Sequence, residues 1–200
     1  MDALPPLHIE HEFEPVPALF QSMGTGQPFQ TCLTCDCPLR QDGTAYLVEK
    51  SIKNYPEANL QDVIFEYAMC LTCAQKLREE LSVDSKARIE AFFAQHVDLV
   101  ARREALLSLP NPLNLDNWLS HCLVTGKPRQ ACSEYQIYAQ CDGPDLVYGY
   151  LPYMISDEAL EQMQELISPH TRQILDDFMD THFGLPPELR ALLHDKLVLI

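Results

Sequence analysis

Two Cys-x-x-Cys pairs, Cys32/Cys35 and Cys70/Cys73, constrain this chain more than any other feature. Together they offer four soft ligands, the donor set that a tetrahedral zinc ion takes. The first pair lies in Cys32-Leu33-Thr34-Cys35-Asp36-Cys37-Pro38-Leu39, a tight turn followed by an apolar residue. The second, Cys70-Leu71-Thr72-Cys73, runs directly into a segment that reads as a helix to Leu81. Four protein ligands close the coordination sphere to water and substrate, so the sequence predicts one structural Zn2+ held by Cys32, Cys35, Cys70 and Cys73. The alternatives are two disulfides, which need an oxidising compartment, or ordinary buried thiols. Met1-Asp2-Ala3-Leu4-Pro5-Pro6 has neither the basic start nor the apolar run of a signal peptide, and a cytoplasmic location is the expectation.

Between the pairs, residues 44–52 and 62–69 alternate as strands, joined by a connection holding Asn54, Pro56 and Asn59. Knuckle, hairpin, then a second pair at a helix start: over residues 29–83 this resembles the treble-clef group of zinc fingers. A longer helix is expected over 84–109, with Ile89, Phe92, Phe93, His96, Val97 and Val100 at helical spacing, before Pro110 and Pro112 close the segment.

Residues 114–200 repeat this order of elements. His121-Cys122-Leu123-Val124-Thr125-Gly126-Lys127-Pro128 has the character of the first cysteine turn, and residues 135–139 and 146–150 read as a second hairpin. With Tyr150 set on Tyr67, Cys70 falls on Tyr153 and Cys73 on Ser156. Only Cys122 then survives as a ligand, with Thr125, Tyr153 and Ser156 in place of the others. Ser156, followed by Asp157 and Glu158, suits a helix N-cap, and Tyr153 has the bulk to fill a vacated metal volume. Helices are expected over 157–167 and 171–183, and a last one after Pro186-Pro187. The expected fold class is α+β: two tandem treble-clef-like units, each a knuckle, a β-hairpin and helices, the second metal-free. The division is an extended Pro-rich N-terminal arm over 1–28, the four-cysteine zinc unit over 29–112 and the degenerate repeat over 113–200. The competing reading of the second half is an unrelated α+β unit.

The other ligand-type residues carry less. His8 and His11 sit beside carboxylates in the arm, where an edge strand fits equally well. Cys37 is too close to Cys35 to share its knuckle comfortably. Cys122, Cys132 and Cys141 with His121 offer a set of three thiols and one imidazole, but their spacing matches no zinc pattern.

Twenty-nine acids against 14 bases give a net charge of −15, a field that repels phosphate backbones. No Gly-rich phosphate loop, His-Glu-x-x-His helix or Gly-x-Ser-x-Gly elbow is present. No histidine lies between Cys32 and Cys73, which argues against His-Asn-His nuclease chemistry. The leading function is a non-catalytic structural-zinc protein that binds another protein as an interaction or adaptor module. Phe13, Val16, Leu19 and Phe20 of the arm are candidate contacts. One alternative is a nucleic-acid-binding regulator using Lys76, Arg78, Lys86, Arg88, Arg102 and Arg103. The other is a cysteine-dependent redox enzyme or hydrolase.

Overall fold

Backbone hydrogen bonding gathers the strands of both halves into one antiparallel sheet. The computed structural model describes residues 12–58 and 60–184. Its strands are β1 (Glu12–Pro15), β2 (Ala45–Tyr55), β3 (Leu60–Cys70), β4 (Glu134–Asp142), β5 (Asp145–Tyr148) and β6 (Tyr153–Ser156). They run in the order β1-β5-β4-β2-β3, with β6 also paired to β4. The helices are α1 (Leu71–Glu80), α2 (Val83–His96), α3 (Leu99–Leu107), α4 (Leu115–Leu119), α5 (Asp157–Gln164) and α6 (Pro169–Phe183). The fold is thus mixed α+β, as the alternation of strand and helix periodicity predicts. The helix expected after Pro186 lies outside the described residues, as do His8 and His11.

The sheet is joined at its centre by β2 and β4, whose register sets Glu49 opposite Tyr138 and Val48 opposite Ala139. β3 continues the first hairpin, with Glu49 opposite Tyr67, and β6 sets Tyr153 opposite Tyr138. Residues directly opposite across strands share a face, so Tyr67, Glu49, Tyr138 and Tyr153 form one row across four strands. Trp118, Tyr46, Tyr148, Phe20, Leu39 and Met69 are among the largest fully buried side chains.

Local chemistry accounts for the helix boundaries. Ser82, Asp98, Asn114, Ser156 and Ser168 each occupy an N-cap and accept a backbone N–H with the side chain. Pro169 opens α6, and Gly184 closes it at φ 43°, a left-handed position that glycine takes without steric cost.

Two elements differ from the sequence reading. The single helix expected over 84–109 is two, because Val97 is extended and Asp98 restarts the helix by accepting the Ala101 N–H at 2.9 Å. Within the span read as an arm, Glu12–Pro15 pairs with β5, and Val16 and Phe20 are buried. Lys50 fixes the following segment: its Nζ donates to the Gln21 carbonyl and pairs with Glu66 at 2.8 Å. Of the four apolar residues offered there as contacts, Phe13 is the one most exposed.

Candidate metal centre

The turn that carries the first cysteine pair closes on itself and on the sheet. The Cys32 N–H donates to the Cys37 carbonyl at 2.9 Å, and the Asp36 N–H to the Cys32 carbonyl at 3.0 Å. The Leu33 N–H reaches the Ala68 carbonyl of β3 at 2.9 Å. Asp36 takes φ 56°, which a short polar side chain tolerates better than a branched one. The second pair lies where β3 passes into α1. Cys70 is the N-cap residue, extended at φ −61° and ψ 148°, and its side chain caps nothing. Its sulfur is therefore left for another role. Cys73 follows in the first helical turn.

These two supports bring Cys32, Cys35, Cys70 and Cys73 together, every sulfur within 4.8 Å of every other. A Zn–S bond of about 2.3 Å in a tetrahedron sets sulfurs about 3.8 Å apart, and Cys35 Sγ and Cys70 Sγ stand at 3.9 Å. Among the described residues this is the one cluster of His, Cys, Asp or Glu with such geometry. The donor set and spacing fit a metal ion of the zinc type. Cys32, Cys70 and Cys73 are buried and Cys35 is exposed, so the site lies at the surface with its back to the core.

The electrostatics favour thiolate at the exposed position. The Cys37 backbone N–H, then the Cys37 and Cys73 side chains, draw the Cys35 thiol down to about 6 against the resistance of burial. Cys37 is pushed up to about 12, first by its hydrogen bond with Cys35 and then by burial. Burial, followed by hydrogen bonds to Cys35 and Cys70, pushes Cys73 up. The Cys70 N–H points at Cys32 Sγ at 3.4 Å, a donor that stabilises sulfur charge. Metal binding to such a set must release protons. Cys37, read from the sequence as a bystander, is half-buried beside the cluster without joining it.

The turn at 121–128 makes the same backbone bonds with Cys122 as its one cysteine. The Cys122 N–H donates to the Lys127 carbonyl at 2.8 Å, Gly126 N–H to the Cys122 carbonyl at 2.9 Å, and Leu123 N–H to the Met154 carbonyl at 2.8 Å. By these bonds Cys122 stands in its turn where Cys32 stands in the first, and Thr125 where Cys35 stands. The same bonds also set Ser156, not Tyr153, on Cys70, and Ala159, not Ser156, on Cys73. The slip of three has a physical cause. β4 advances two residues between its pairs with Val147 and Tyr153, while the other strand advances six, so the chain at 149–152 holds extra residues. Tyr153 stands where Tyr67 stands and fills no metal volume.

Around this second position the polar atoms bond to one another. Ser156 donates from both N and Oγ to Cys122 Sγ at 3.2 Å, and the Thr125 N–H reaches the same sulfur at 3.5 Å. Thr125 Oγ1 and Ser156 Oγ are 3.3 Å apart. Burial opposes ionisation of Cys122, but the Ser156 and Thr125 donors outweigh it and lower its pKa. Cys132 donates to the Pro128 carbonyl at 3.5 Å, and His121 bonds Ser120 at 2.9 Å, so the set of Cys122, Cys132, Cys141 and His121 is not brought together.

The basic residues offered as a nucleic-acid footprint are partly engaged by groups of the chain itself, Arg78 and Lys86 at the surface and Arg102 within. Arg78 pairs with Glu90 at 2.7 Å, and Lys86 donates to the Arg78 carbonyl at 3.2 Å. Arg102 turns inward to the carbonyls of Trp118 and Pro152 at 2.8 and 3.1 Å. Desolvation lowers its pKa to about 10. A capping arginine of this kind has no sequence signal, because its carbonyl partners are distant in the chain. No helix among the described residues is long and apolar enough to cross a membrane. No family model, curated protein or solved structure matches this chain. The class it defines is therefore given by the site itself: a mixed α+β protein with a four-cysteine cluster at metal-binding distance.

Proposed function

We propose that this chain is a non-catalytic, zinc-stapled protein-binding module built from two fused treble-clef-like units, the second of which has exchanged its metal for hydrogen bonds. The observation that carries the reading is the closed cluster of four sulfurs joining a turn to a helix start. A tetrahedral ion there has no open position, so it would staple and not catalyse. The tandem reading is supported by the matched turn bonds and by the centre of the sheet. Glu49 and Tyr138 occupy equivalent places in the two hairpins and face each other across β2 and β4, as a local two-fold relation requires. The zinc would contribute to folding directly, since the unfolded chain holds no preformed site.

A protein partner in the cytoplasm is the reading most consistent with the acidic charge and the engaged bases. The free surface that suits it is the tip of the first hairpin. Tyr55 of β2 and Leu60 of the outer strand β3 face each other there as a cross-strand pair, 39% and 62% exposed. Purification of the zinc-loaded full chain from its native host, beside the Tyr55→Ser/Leu60→Ser variant, tests this. The proposal expects a stoichiometric protein that is lost with the variant and indifferent to added oligonucleotide. Binding abolished by oligonucleotide or falling steeply with salt would overturn it in favour of nucleic acid.

A further inference from the structure

A cavity of about 990 Å³ lies between the Tyr67–Glu49–Tyr138–Tyr153 row and the inner sides of α2 and α3. It is at the upper end of the roughly 300–1,000 Å³ of small-molecule sites. The two helices bridge the sheet more than they pack on it: Ser85 is the one fully buried residue of α2, and α3 has none. Both ends of this arch are fastened. At the start of α2, the Ser168 N–H donates to Ser85 Oγ at 2.8 Å and the Ser82 N–H to Thr171 Oγ1 at 3.0 Å. In α3, Arg102 holds the Trp118 and Pro152 carbonyls. Ile89, Phe93 and Val97 face the cavity between those anchors.

The floor is polar where stability alone would favour hydrocarbon. Glu49 is 2% exposed and accepts the Tyr67 hydroxyl at 2.5 Å. The Tyr138 and Tyr153 rings lie 5.2 Å apart beside it. A carboxylate with phenol rings around it makes an electron-rich surface that attracts cations, more strongly when water is excluded. Of the charged residues lining the cavity, Glu49, Glu90 and Asp98 outnumber Arg78 and Lys86, and Arg78 is paired with Glu90 at 2.7 Å.

We propose that the cavity binds an apolar ammonium compound, with its hydrocarbon under the α2–α3 arch and its cation against the tyrosine–glutamate row. The site is separate from the sulfur cluster and does not depend on the zinc reading. Calorimetric titration of the full chain with dodecylamine, 1-dodecanol and dodecanoate, below their aggregation concentrations, tests it with one chain length and three head groups. The amine should bind about tenfold or more tighter than either analogue. Ile89→Trp or Val97→Trp, which fill the cavity from the arch, should abolish amine binding while far-ultraviolet dichroism, the cooperative thermal transition and metal content are retained. Glu49→Gln should remove the preference for amine over alcohol. Equal or tighter binding of the alcohol or the carboxylate, amine binding that survives both blocking variants, or no binding by any probe would overturn the proposal. Metal content measured on the same samples separates its failure from failure of the zinc reading.

Discussion

The turns at 31–38 and 121–128 solve one problem by different chemistry. Each must hold a loop against the start of a helix, and each donates an N–H, from Leu33 or Leu123, to the strand before that helix. In the first, four sulfurs converge and nothing else caps α1. In the second, Ser156 caps α5 by accepting the Ala159 N–H and also bonds the remaining sulfur, Cys122. Where Cys37 stands in the first turn, Lys127 stands in the second and pairs with Glu158 at 2.8 Å and Asp157 at 3.4 Å. The difference teaches that the helix start, more than the ion, is the constant demand of this architecture. A metal meets it with large, condition-dependent energy; a cap and ion pairs meet it with small, permanent contributions.

The largest effect should come from breaking the first turn. Cys70→Ser removes a ligand from a site of the kind that contributes on the order of 10 kcal/mol to folding. It should lose metal and the cooperative unfolding transition, as should strong chelation of wild type, read by thermal melts. The next is a gain: Thr125→Cys/Ser156→Cys/Ala159→Cys, added to the native Cys122, should rebuild the missing ligand set and raise the metal content by one ion per chain. No gain would break the equivalence drawn between the turns. Ser156→Ala alone should cost about 1–2 kcal/mol through the lost cap and the undonated Cys122, with metal content unchanged. Denaturant titration measures it.

The smallest concerns pH. Burial works to raise the Asp157 carboxyl, but the Ser133 hydroxyl, the Glu158 N–H and Lys127 outweigh it and hold it below the ordinary range. A depressed carboxyl contributes stability that is present above its unfolded value of about 3.9 and is lost as pH falls through the folded one. The stability gap between wild type and Asp157→Asn should therefore narrow below about pH 4. A gap that widens on acidification would contradict the assignment.

What the sequence reveals and what it hides follow from the range of each interaction. Cysteine spacing, strand alternation and the cap at Ser156 are local, so the four-cysteine cluster and most element boundaries are legible before any fold is known. The break at Asp98 is hidden because the apolar stripe of Ile89, Phe93, Val97 and Val100 keeps helical period straight through it. The match of Ser156 to Cys70 is hidden because the extra chain at 149–152 slides the second hairpin against the first. Glu49 reads as one charge in an amphipathic strand; only the register of four strands sets it among Tyr67, Tyr138 and Tyr153.

The most direct test of the central claim is elemental analysis of zinc per chain, on protein purified without chelator, in wild type, Cys70→Ser and Cys132→Ser. The account predicts one zinc in wild type, one in Cys132→Ser and none in Cys70→Ser. No zinc in wild type, or zinc that survives Cys70→Ser but is lost with Cys132→Ser, would contradict it and return the clustered thiols to redox chemistry.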